Sequence, residues 1–283
     1  MYARYARSSR SGIGAVESVD VGHGAKGHWI GDKNARNVLI WYHGGGFCLP
    51  ANVGYFKFWS QLVGSSSAAG KDLAVFALTY DLAPHERYPT QHRQAVEALR
   101  YILTETKRRP GEVLLGGDSA GGNMAIGVLS HLAHSHPAME ELKVAEPLAG
   151  LVVVAPWTSL DESHGESDIY YKGDLLSPRI VLPWARAFLG DGVRDFYTDA
   201  SDAPSSWFEP FPVKHVLVTA GENECLMPIV EDLFAKMKAA IPSAELFVGE
   251  REAHVAPVFN LYVRDSTETL QGKKIKAWLR EVL

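Results

Sequence analysis

The sequence predicts an α/β protein built around a mostly parallel sheet with helices on both faces. Three observations lead to this prediction. The strand-like segments are continuous apolar runs, as expected of strands that are buried on both faces. Helix-like segments separate these runs along the chain, which is the pattern of strand–helix–strand units. The 283 residues, 46% of them apolar, suffice for one such domain with insertions.

The first part of the chain predicts a polar hairpin followed by a buried strand and a helix. Residues 13–36 alternate and contain glycines at turn positions, which suits an antiparallel edge hairpin of Ser18–Val21 with Gly27–Ile30. The apolar run Val38–Tyr42 then predicts a central strand, and aromatic residues at near-helical spacing predict a helix over Asn52–Val63.

The remaining segments repeat this alternation. Gln91–Lys107 and Thr267–Leu283 are amphipathic, as expected of helices that pack on a sheet. Further strands are predicted at Leu73–Tyr80, Val113–Leu115, Leu148–Ala155, Val216–Ala220 and Leu246–Val248, and further helices at Asn123–Leu132 and Ile229–Ala240.

One long segment, Thr158–Phe208, interrupts the alternation. It is rich in Asp, Ser, Gly and aromatic residues and contains a single helix-like stretch, Pro178–Leu189. Its length exceeds that of ordinary loops, which favours an insertion that covers a functional site over a surface excursion. We therefore expect a single domain over residues 1–283, in which residues 158–208 form a cap and residues 1–17 are a further candidate part of it.

A glycine-flanked serine follows the strand predicted at Val113–Leu115. Gly117, Ser119 and Gly121 lie between that strand and a helix, which is the setting of a nucleophile elbow. In so tight a turn the glycines omit side chains that would collide with the neighbouring strand and helix. The serine Oγ would then project above the sheet at the positive end of the helix. A buried serine in an ordinary turn is the alternative, because a lone G-x-S-x-G pattern also arises by chance.

A second glycine-rich motif ends the strand Val38–Tyr42. His43 is followed by Gly44, Gly45 and Gly46, and consecutive glycines leave backbone N–H groups uncovered. Such N–H groups stabilise the oxyanion of a tetrahedral intermediate. A flexible turn would explain this motif alone, but its combination with the serine turn favours an oxyanion hole.

Together the HGGG and GDSAGG motifs resemble the hormone-sensitive-lipase-like branch of the α/β-hydrolases, and within it the fungal-type esterases related to steryl acetyl hydrolase. The likeness includes Tyr80-Asp81-Leu82-Ala83-Pro84, where Asp81 stands in place of the family's arginine. The resemblance implies an α/β-hydrolase fold with a mostly parallel eight-stranded sheet, a small cap and no cofactor or metal. It also implies that the N–H groups of Gly45, Gly46 and Ala120 form the oxyanion hole, with His43 in a structural role.

A serine nucleophile needs a base and an orienting acid, and this fold orders them along the chain as Ser, Asp or Glu, His. Of the eleven histidines, His254 follows the last predicted strand and is the candidate base. His215 lies at the start of a strand, on the wrong edge of the sheet.

The acid is expected in the loop after the strand Val216–Ala220. Glu224, with Leu226 two positions later, resembles the family's D-P-L or E-x-L segment. Glu222 in the same loop is the alternative, and Asp232, inside the following helix, is a weaker one.

Four aromatic residues near these motifs are candidate substrate contacts: Phe47, Tyr55, Trp157 and Trp184. Ligand pockets are commonly lined by apolar and aromatic side chains. Core packing is the alternative for each of the four, and it explains them at least as well.

Composition excludes several classes of function. The formal net charge of −5 argues against a nucleic-acid partner. Two cysteines, Cys48 and Cys225, are too few for a disulfide framework, and no metal-ligand spacing is present. No apolar stretch is long enough to span a membrane.

The start of the chain is rich in Arg and Ser and has no acidic residue before Glu17. Such a start resembles a short transit peptide, which leaves organelle targeting open. The absence of a signal peptide and of disulfides favours an intracellular, cytoplasmic protein.

The expected function is hydrolysis of small to medium apolar esters by Ser119, His254 and Glu224 through an acyl-enzyme. The same groups would serve an amide, a lactone or an acetyl group on a secondary metabolite, and these alternatives stay open. A non-catalytic small-molecule receptor is a further alternative. The resemblance includes some relatives that have lost the triad histidine and serve as receptors, whereas His254 is present here. The resemblance also makes a homodimer, paired through edge strands or last helices, a candidate assembly.

Overall fold

An eight-stranded, mostly parallel sheet forms the centre of the molecule, as predicted. The computed structural model describes residues 17–161 and 173–283. The strands are β1 (Ser18–Gly22), β2 (Ala25–Ile30), β3 (Asn37–Tyr42), β4 (Leu73–Thr79), β5 (Val113–Asp118), β6 (Leu148–Val154), β7 (Val213–Gly221) and β8 (Ala244–Gly249). The α-helices of the described residues are α1 (Val53–Ala68), α2 (Thr90–Thr104), α3 (Ala120–His134), α4 (Pro178–Leu189), α5 (Met227–Ala240), α6 (Ala256–Tyr262) and α7 (Leu270–Val282).

The strand order is β1-β2-β4-β3-β5-β6-β7-β8. β1 and β2 form the predicted hairpin, with Val19 opposite Gly27, and β2 is also antiparallel to β4. Every later pair is parallel, as crossover connections of a dozen or more residues allow. The carboxyl ends of β3 to β8 therefore meet at one edge of the sheet, and the loops that follow them lie side by side.

The sheet separates two apolar layers, which explains the continuous apolar runs. In β3, Val38, Ile40 and Tyr42 pack into one cluster, whereas Leu39 and Trp41 pack into the other. All five side chains are fully buried. A strand with a core on each face has no solvent side on which to place polar residues.

Some helix bounds differ from the prediction. α2 ends at Thr104 and not at Lys107, because Lys107 has a φ of +56°, outside the right-handed helical region. α7 begins at Leu270, where the Thr269 side chain accepts the Gly272 N–H as an N-cap. The helix α6 has no counterpart in the prediction.

The predicted cap is described at residues 158–161 and 173–208. The second part contains α4, which coincides with the predicted helix Pro178–Leu189. Residues 162–172 of the cap lie outside the described residues. So do residues 1–16, which are all but the last residue of the segment 1–17 predicted as a further part of the cap. In the described ranges, no helix combines the length and the apolar character needed to cross a membrane.

Leu39→Ala is expected to lower the free energy of unfolding by about 2–5 kcal/mol, because Leu39 is fully buried and its truncation leaves a cavity beside the sheet. Leu270→Ala is the matched control at a side chain that is 40% exposed, with an expected change within about 0.5 kcal/mol. Urea denaturation followed by circular dichroism measures both. Equal losses in the two variants would contradict a core position for β3.

Candidate active site

The backbone turns sharply at Ser119, between β5 and α3. Ser119 has a φ of +51° and a ψ of −121°, a combination that a residue with a side chain rarely adopts. A Cβ at Gly117 would lie 2.3 Å from the Gly121 carbonyl oxygen, and a Cβ at Gly121 would lie 2.0 Å from that of Tyr42. The Ser119 N–H donates to the Val154 carbonyl at 2.9 Å. The two glycines are therefore required by close backbone approach at this turn.

The loop after β3 carries two of the three predicted oxyanion donors. Gly45 and Gly46 have φ values of +105° and +59°, which glycine adopts without a Cβ clash. The preceding Gly44 N–H faces two acceptors, the Tyr55 hydroxyl at 3.0 Å and Asp118 Oδ2 at 3.2 Å. Ala120, the third predicted donor, is the first residue of α3, where N–H groups have no partner inside the helix.

His43 supports this loop. Burial lowers the pKa of His43 to about 4, so the ring is neutral at neutral pH. Its Nδ1 donates to the Gly44 carbonyl at 2.7 Å. The Tyr80 ring stacks on it at 4.3 Å, and the Tyr80 hydroxyl donates to the His43 carbonyl at 2.8 Å. These contacts fit the structural role that the resemblance implies.

His254 and Glu224 form a buried pair in the loops that follow β8 and β7. His254 Nδ1 lies 2.9 Å from Glu224 Oε2. Glu224 is fully buried, and His254 is 4% exposed. Since a carboxylate only accepts hydrogen bonds, Nδ1 carries the proton here, and Nε2 of the neutral ring is an acceptor. Ser119 and His254 line the same pocket.

Burial and charge act in opposite directions on the pKa of His254. Burial is the largest influence and lowers it, but the hydrogen bond and charge of Glu224, with the charges of Asp174 and Asp118, outweigh burial and raise the pKa above 6.5. Burial also raises the pKa of Glu224, and the hydrogen bond from His254 opposes that effect. The Glu224 carboxylate thus favours the protonated ring that a general base becomes when it accepts a proton.

The alternative acid and base residues lie elsewhere. Glu222 is exposed, and its carboxylate accepts a backbone N–H of the loop after β8. Asp232 lies on α5 and pairs with a lysine of the same helix. His215 is exposed near the start of β7, at the opposite edge of the sheet. Among these candidate acids, Glu224 is the one whose carboxylate contacts His254.

Asp118, directly before the nucleophile, is a buried carboxylate with three donors. The Tyr55 hydroxyl donates to it at 2.6 Å, Trp41 Nε1 at 3.1 Å and the Gly44 N–H at 3.2 Å. Burial raises the pKa of Asp118 to about 6, and these hydrogen bonds oppose the rise. The carboxylate thereby ties α1 and the HGGG loop to the turn at Ser119.

A pocket of about 350 Å³ opens at Ser119 and His254, within the usual range for a small-molecule site. Tyr55 and Trp184, two of the predicted substrate contacts, line it. The other apolar residues of the lining are Leu49, Pro50, Leu175, Leu176, Val255, Val258, Phe259 and Tyr262.

Phe47 and Trp157 were also predicted as substrate contacts, but among the described residues the pocket lining does not include them. Their positions in the structure correct that prediction. Phe47 is fully buried and stacks on Phe188 of α4, with ring centroids 3.7 Å apart. Trp157 is 2% exposed, and its ring centroid lies 6.0 Å from that of Phe47. Both rings fill the core, where their large apolar area is removed from water.

The sequence analysis missed one wall of the pocket. Val255, Val258, Phe259 and Tyr262 line it from α6 and the residue before it. Their i, i+3, i+4, i+7 spacing is the signal that could have revealed an amphipathic helix, although the segment is short. Leu175 and Leu176 of the cap carry no comparable sequence signal.

The two cysteines are free thiols beside the site. Burial raises the pKa of both Cys48 and Cys225, which keeps them protonated at neutral pH. Within residues 17–161 and 173–283, no group of three or more His, Cys, Asp or Glu side chains is arranged to hold a metal ion.

A serine turn between strand and helix, a glycine loop and a buried acid–histidine pair at the carboxyl edge of a mostly parallel sheet define a class of hydrolase folds. A family model described as alpha/beta hydrolase fold matches residues 39–258, and the chain belongs to that family.

Similar proteins confirm the resemblance to the hormone-sensitive-lipase-like branch. A solved esterase from the bacterial hormone-sensitive lipase family is 27% identical, with a TM-score of 0.74 over 94% of this chain and 82% of that one. A mutant of the esterase E40 is 25% identical, with a TM-score of 0.77 over 94% and 84%.

Two curated relatives, a steryl acetyl hydrolase and an arylacetamide deacetylase, match parts of this chain. Steryl acetyl hydrolase 1 of Saccharomyces cerevisiae is 24% identical over 246 residues, which cover 81% of this chain and 56% of the yeast protein. Arylacetamide deacetylase of Bos taurus is 32% identical over 117 residues, which cover 40% of this chain and 29% of the bovine protein. The matched regions thus span little more than half of the yeast protein and under a third of the bovine one.

Glu224→Gln is expected to lower the pKa of His254, because burial then acts without the carboxylate charge that opposes it. In the unmodified protein the pKa of His254 should lie above 6.5, so the ring is neutral only at pH values above that pKa. Histidine resonances followed by NMR across pH measure both. Glu222→Gln removes an exposed carboxylate from the same loop and should leave the pKa unchanged. A shift in Glu222→Gln and none in Glu224→Gln would reverse the assignment of the acid.

Proposed function

We propose that this protein is a serine hydrolase that cleaves carboxylic esters through an acyl-enzyme on Ser119. The observation that carries the proposal is that a strained serine turn and a buried His254–Glu224 hydrogen bond meet at one pocket. Acyl transfer needs a nucleophile, an oriented base and donors for the oxyanion. Similarity to solved esterases supports the same class.

In the first step, His254 Nε2 accepts the Ser119 hydroxyl proton while Oγ attacks the ester carbonyl carbon. Glu224 holds Nδ1–H and stabilises the imidazolium that forms. The N–H groups of Gly45, Gly46 and Ala120 receive the oxyanion, for which each donor typically contributes about 10²–10³-fold in rate. The tetrahedral intermediate then collapses, and His254 returns the proton to the departing alkoxide.

In the second step, water replaces the alcohol. His254 takes a proton from the water as its oxygen attacks the acyl carbon, and the same N–H groups hold the second oxyanion. Collapse breaks the bond between the acyl carbon and Ser119 Oγ, and His254 returns the proton to Oγ. The products are the carboxylic acid and the free enzyme.

The preferred substrates are small to medium apolar esters. Apolar side chains form most of the pocket wall, and three of these residues, Leu49, Leu175 and Tyr262, are 50%, 41% and 48% exposed. Apolar surface left open at a pocket favours an apolar ligand, because its burial removes that surface from water. The similarity to steryl acetyl hydrolase 1 supports a short acyl group.

The cap takes part in substrate recognition. Leu175, Leu176 and Trp184 contribute to the pocket wall from the segment 158–208, and α6 contributes to the same wall. In this proposal the protein is a single domain, and its cap insertion determines which substrates fit. Binding residues are commonly found on variable loops that a rigid scaffold positions.

Amide hydrolysis is a second candidate activity. It is favoured by the similarity to arylacetamide deacetylase over 117 residues. The same nucleophile, base and oxyanion donors serve an acetanilide, provided that His254 protonates the leaving amine.

Hydrolysis of p-nitrophenyl esters from acetate to decanoate tests the proposal. We expect turnover with a short-chain optimum, and a loss of at least about 10⁴-fold in Ser119→Ala, because the nucleophile is gone. A fluorophosphonate should label the unmodified protein and not the variant. p-Nitroacetanilide in the same assay tests the amide.

Two results would contradict ester hydrolysis by this site. One is a folded protein that neither turns over any ester nor reacts with the fluorophosphonate. The other is turnover that survives in Ser119→Ala, which would move the chemistry to another group.

Trp184→Ala is expected to favour longer acyl chains. A Cβ at Gly46 would lie 2.1 Å from the Trp184 ring, so the indole rests on the predicted oxyanion loop and limits the space beside it. The ratio of kcat/KM for hexanoate to that for acetate should rise about tenfold, as expected when a pocket admits further methylenes. Trp207→Ala is the control, because Trp207 stacks on His134 at 3.7 Å, away from the lining. An unchanged ratio in Trp184→Ala would contradict this role.

A further inference from the structure

A carboxylate of the cap contacts both loops that carry the acid and the base. Asp174 Oδ2 accepts the Cys225 N–H at 2.9 Å, and Asp174 Oδ1 accepts the His254 N–H at 3.0 Å. Cys225 directly follows Glu224 in the loop after β7, and His254 lies in the loop after β8. One side chain therefore bridges the backbone at the two members of the acid–base pair.

Other contacts bring these loops together but do not reach the reacting groups. The Glu222 N–H donates to the Gly249 carbonyl, and the Asn223 N–H donates to the Glu252 carbonyl, both at 2.9 Å. These two bonds join the loops at residues that precede Glu224 and His254 in the chain. Asp174 instead bonds to the backbone of His254 itself and of Cys225, the residue after Glu224.

The charge of Asp174 also acts on the pair. Together with Glu224 and Asp118 it favours the protonated form of His254, against the effect of burial. It disfavours the ionised form of Glu224, as a like charge nearby does. Removal of this charge should therefore change proton affinity at His254 as well as geometry.

Asp174 connects the pair to the substrate side of the pocket. The next two residues, Leu175 and Leu176, belong to the pocket wall, and the Leu175 N–H donates to Asp174 Oδ1 at 2.7 Å. Asp174 therefore contacts the His254 backbone and directly precedes two residues of the pocket wall.

We propose that Asp174 is a positioning residue, which fixes His254 relative to Glu224 and couples the seating of the cap to the orientation of the base. The proposal rests on the ester hydrolase function proposed above. It assigns to the cap a role in catalysis beyond shaping the pocket.

The test compares Asp174→Asn with Asp191→Asn, which removes an exposed carboxylate from the same cap segment. Asparagine has nearly the same shape, but its NH₂ group would face either the Cys225 N–H or the His254 and Leu175 N–H groups, so at least one hydrogen bond and the charge are lost. Asp174→Glu retains the charge on a longer side chain. Should Asp174→Asn fail to fold, Asp174→Ser, which accepts one hydrogen bond, takes its place.

The first readout is the pKa of His254 by NMR, which needs no turnover. We expect a lower pKa in Asp174→Asn, a value close to the original in Asp174→Glu, and no change in Asp191→Asn. The second readout is the pH profile of p-nitrophenyl acetate hydrolysis. In Asp174→Asn we expect the acid limb of this profile to move to lower pH. We also expect kcat to fall about 10–100-fold, as when a catalytic group is misplaced, while KM changes by less than about threefold.

An unchanged His254 pKa in folded Asp174→Asn would overturn the proposal, as would a loss confined to KM or an equal loss in Asp191→Asn. If the unmodified protein shows no hydrolysis, the proposed function fails. The NMR comparison would still decide whether Asp174 positions His254.

Discussion

Direct backbone contact between the end of β3 and the start of α3 is the constraint on which the site depends. Gly121 approaches Tyr42 so closely that no side chain fits between them, and a Cβ at Gly44 would lie 2.3 Å from Asp118 Oδ2. Only glycine permits such approaches. Because Gly45 follows directly in the same loop, this contact also sets how far the predicted oxyanion donors lie from Ser119.

The same junction buries a carboxylate. A buried ionised group is strongly destabilising unless hydrogen bonds replace water. Asp118 receives such bonds from Trp41 of β3, Tyr55 of α1 and Gly44 of the HGGG loop. Each donor comes from a different element, so the carboxylate is satisfied only when all three are in place. Polar networks of this kind favour one arrangement over near alternatives.

Parallel topology brings together groups that are distant in the chain. Ser119, Glu224 and His254 follow β5, β7 and β8, whose carboxyl ends share one edge of the sheet. The predicted cap and α6 both contribute side chains to the pocket at this edge. Asp174 shows that the two layers are not independent, because a cap side chain bonds to the loops that carry the acid and the base.

The sequence by itself determined the features whose cause is local. The apolar run of β3 and the glycines around Ser119 are of this kind, since the first reflects burial on both strand faces and the second close backbone approach. His254 was identified differently, from the order in which this fold places its triad residues along the chain. Only the tertiary structure decided that Phe47 packs into the core while Trp184 faces the pocket, and that Asp174 reaches His254. The reason is physical: the sequence pattern around an isolated aromatic or acidic residue does not indicate its contacts, and its burial depends on elements that are far away in the chain.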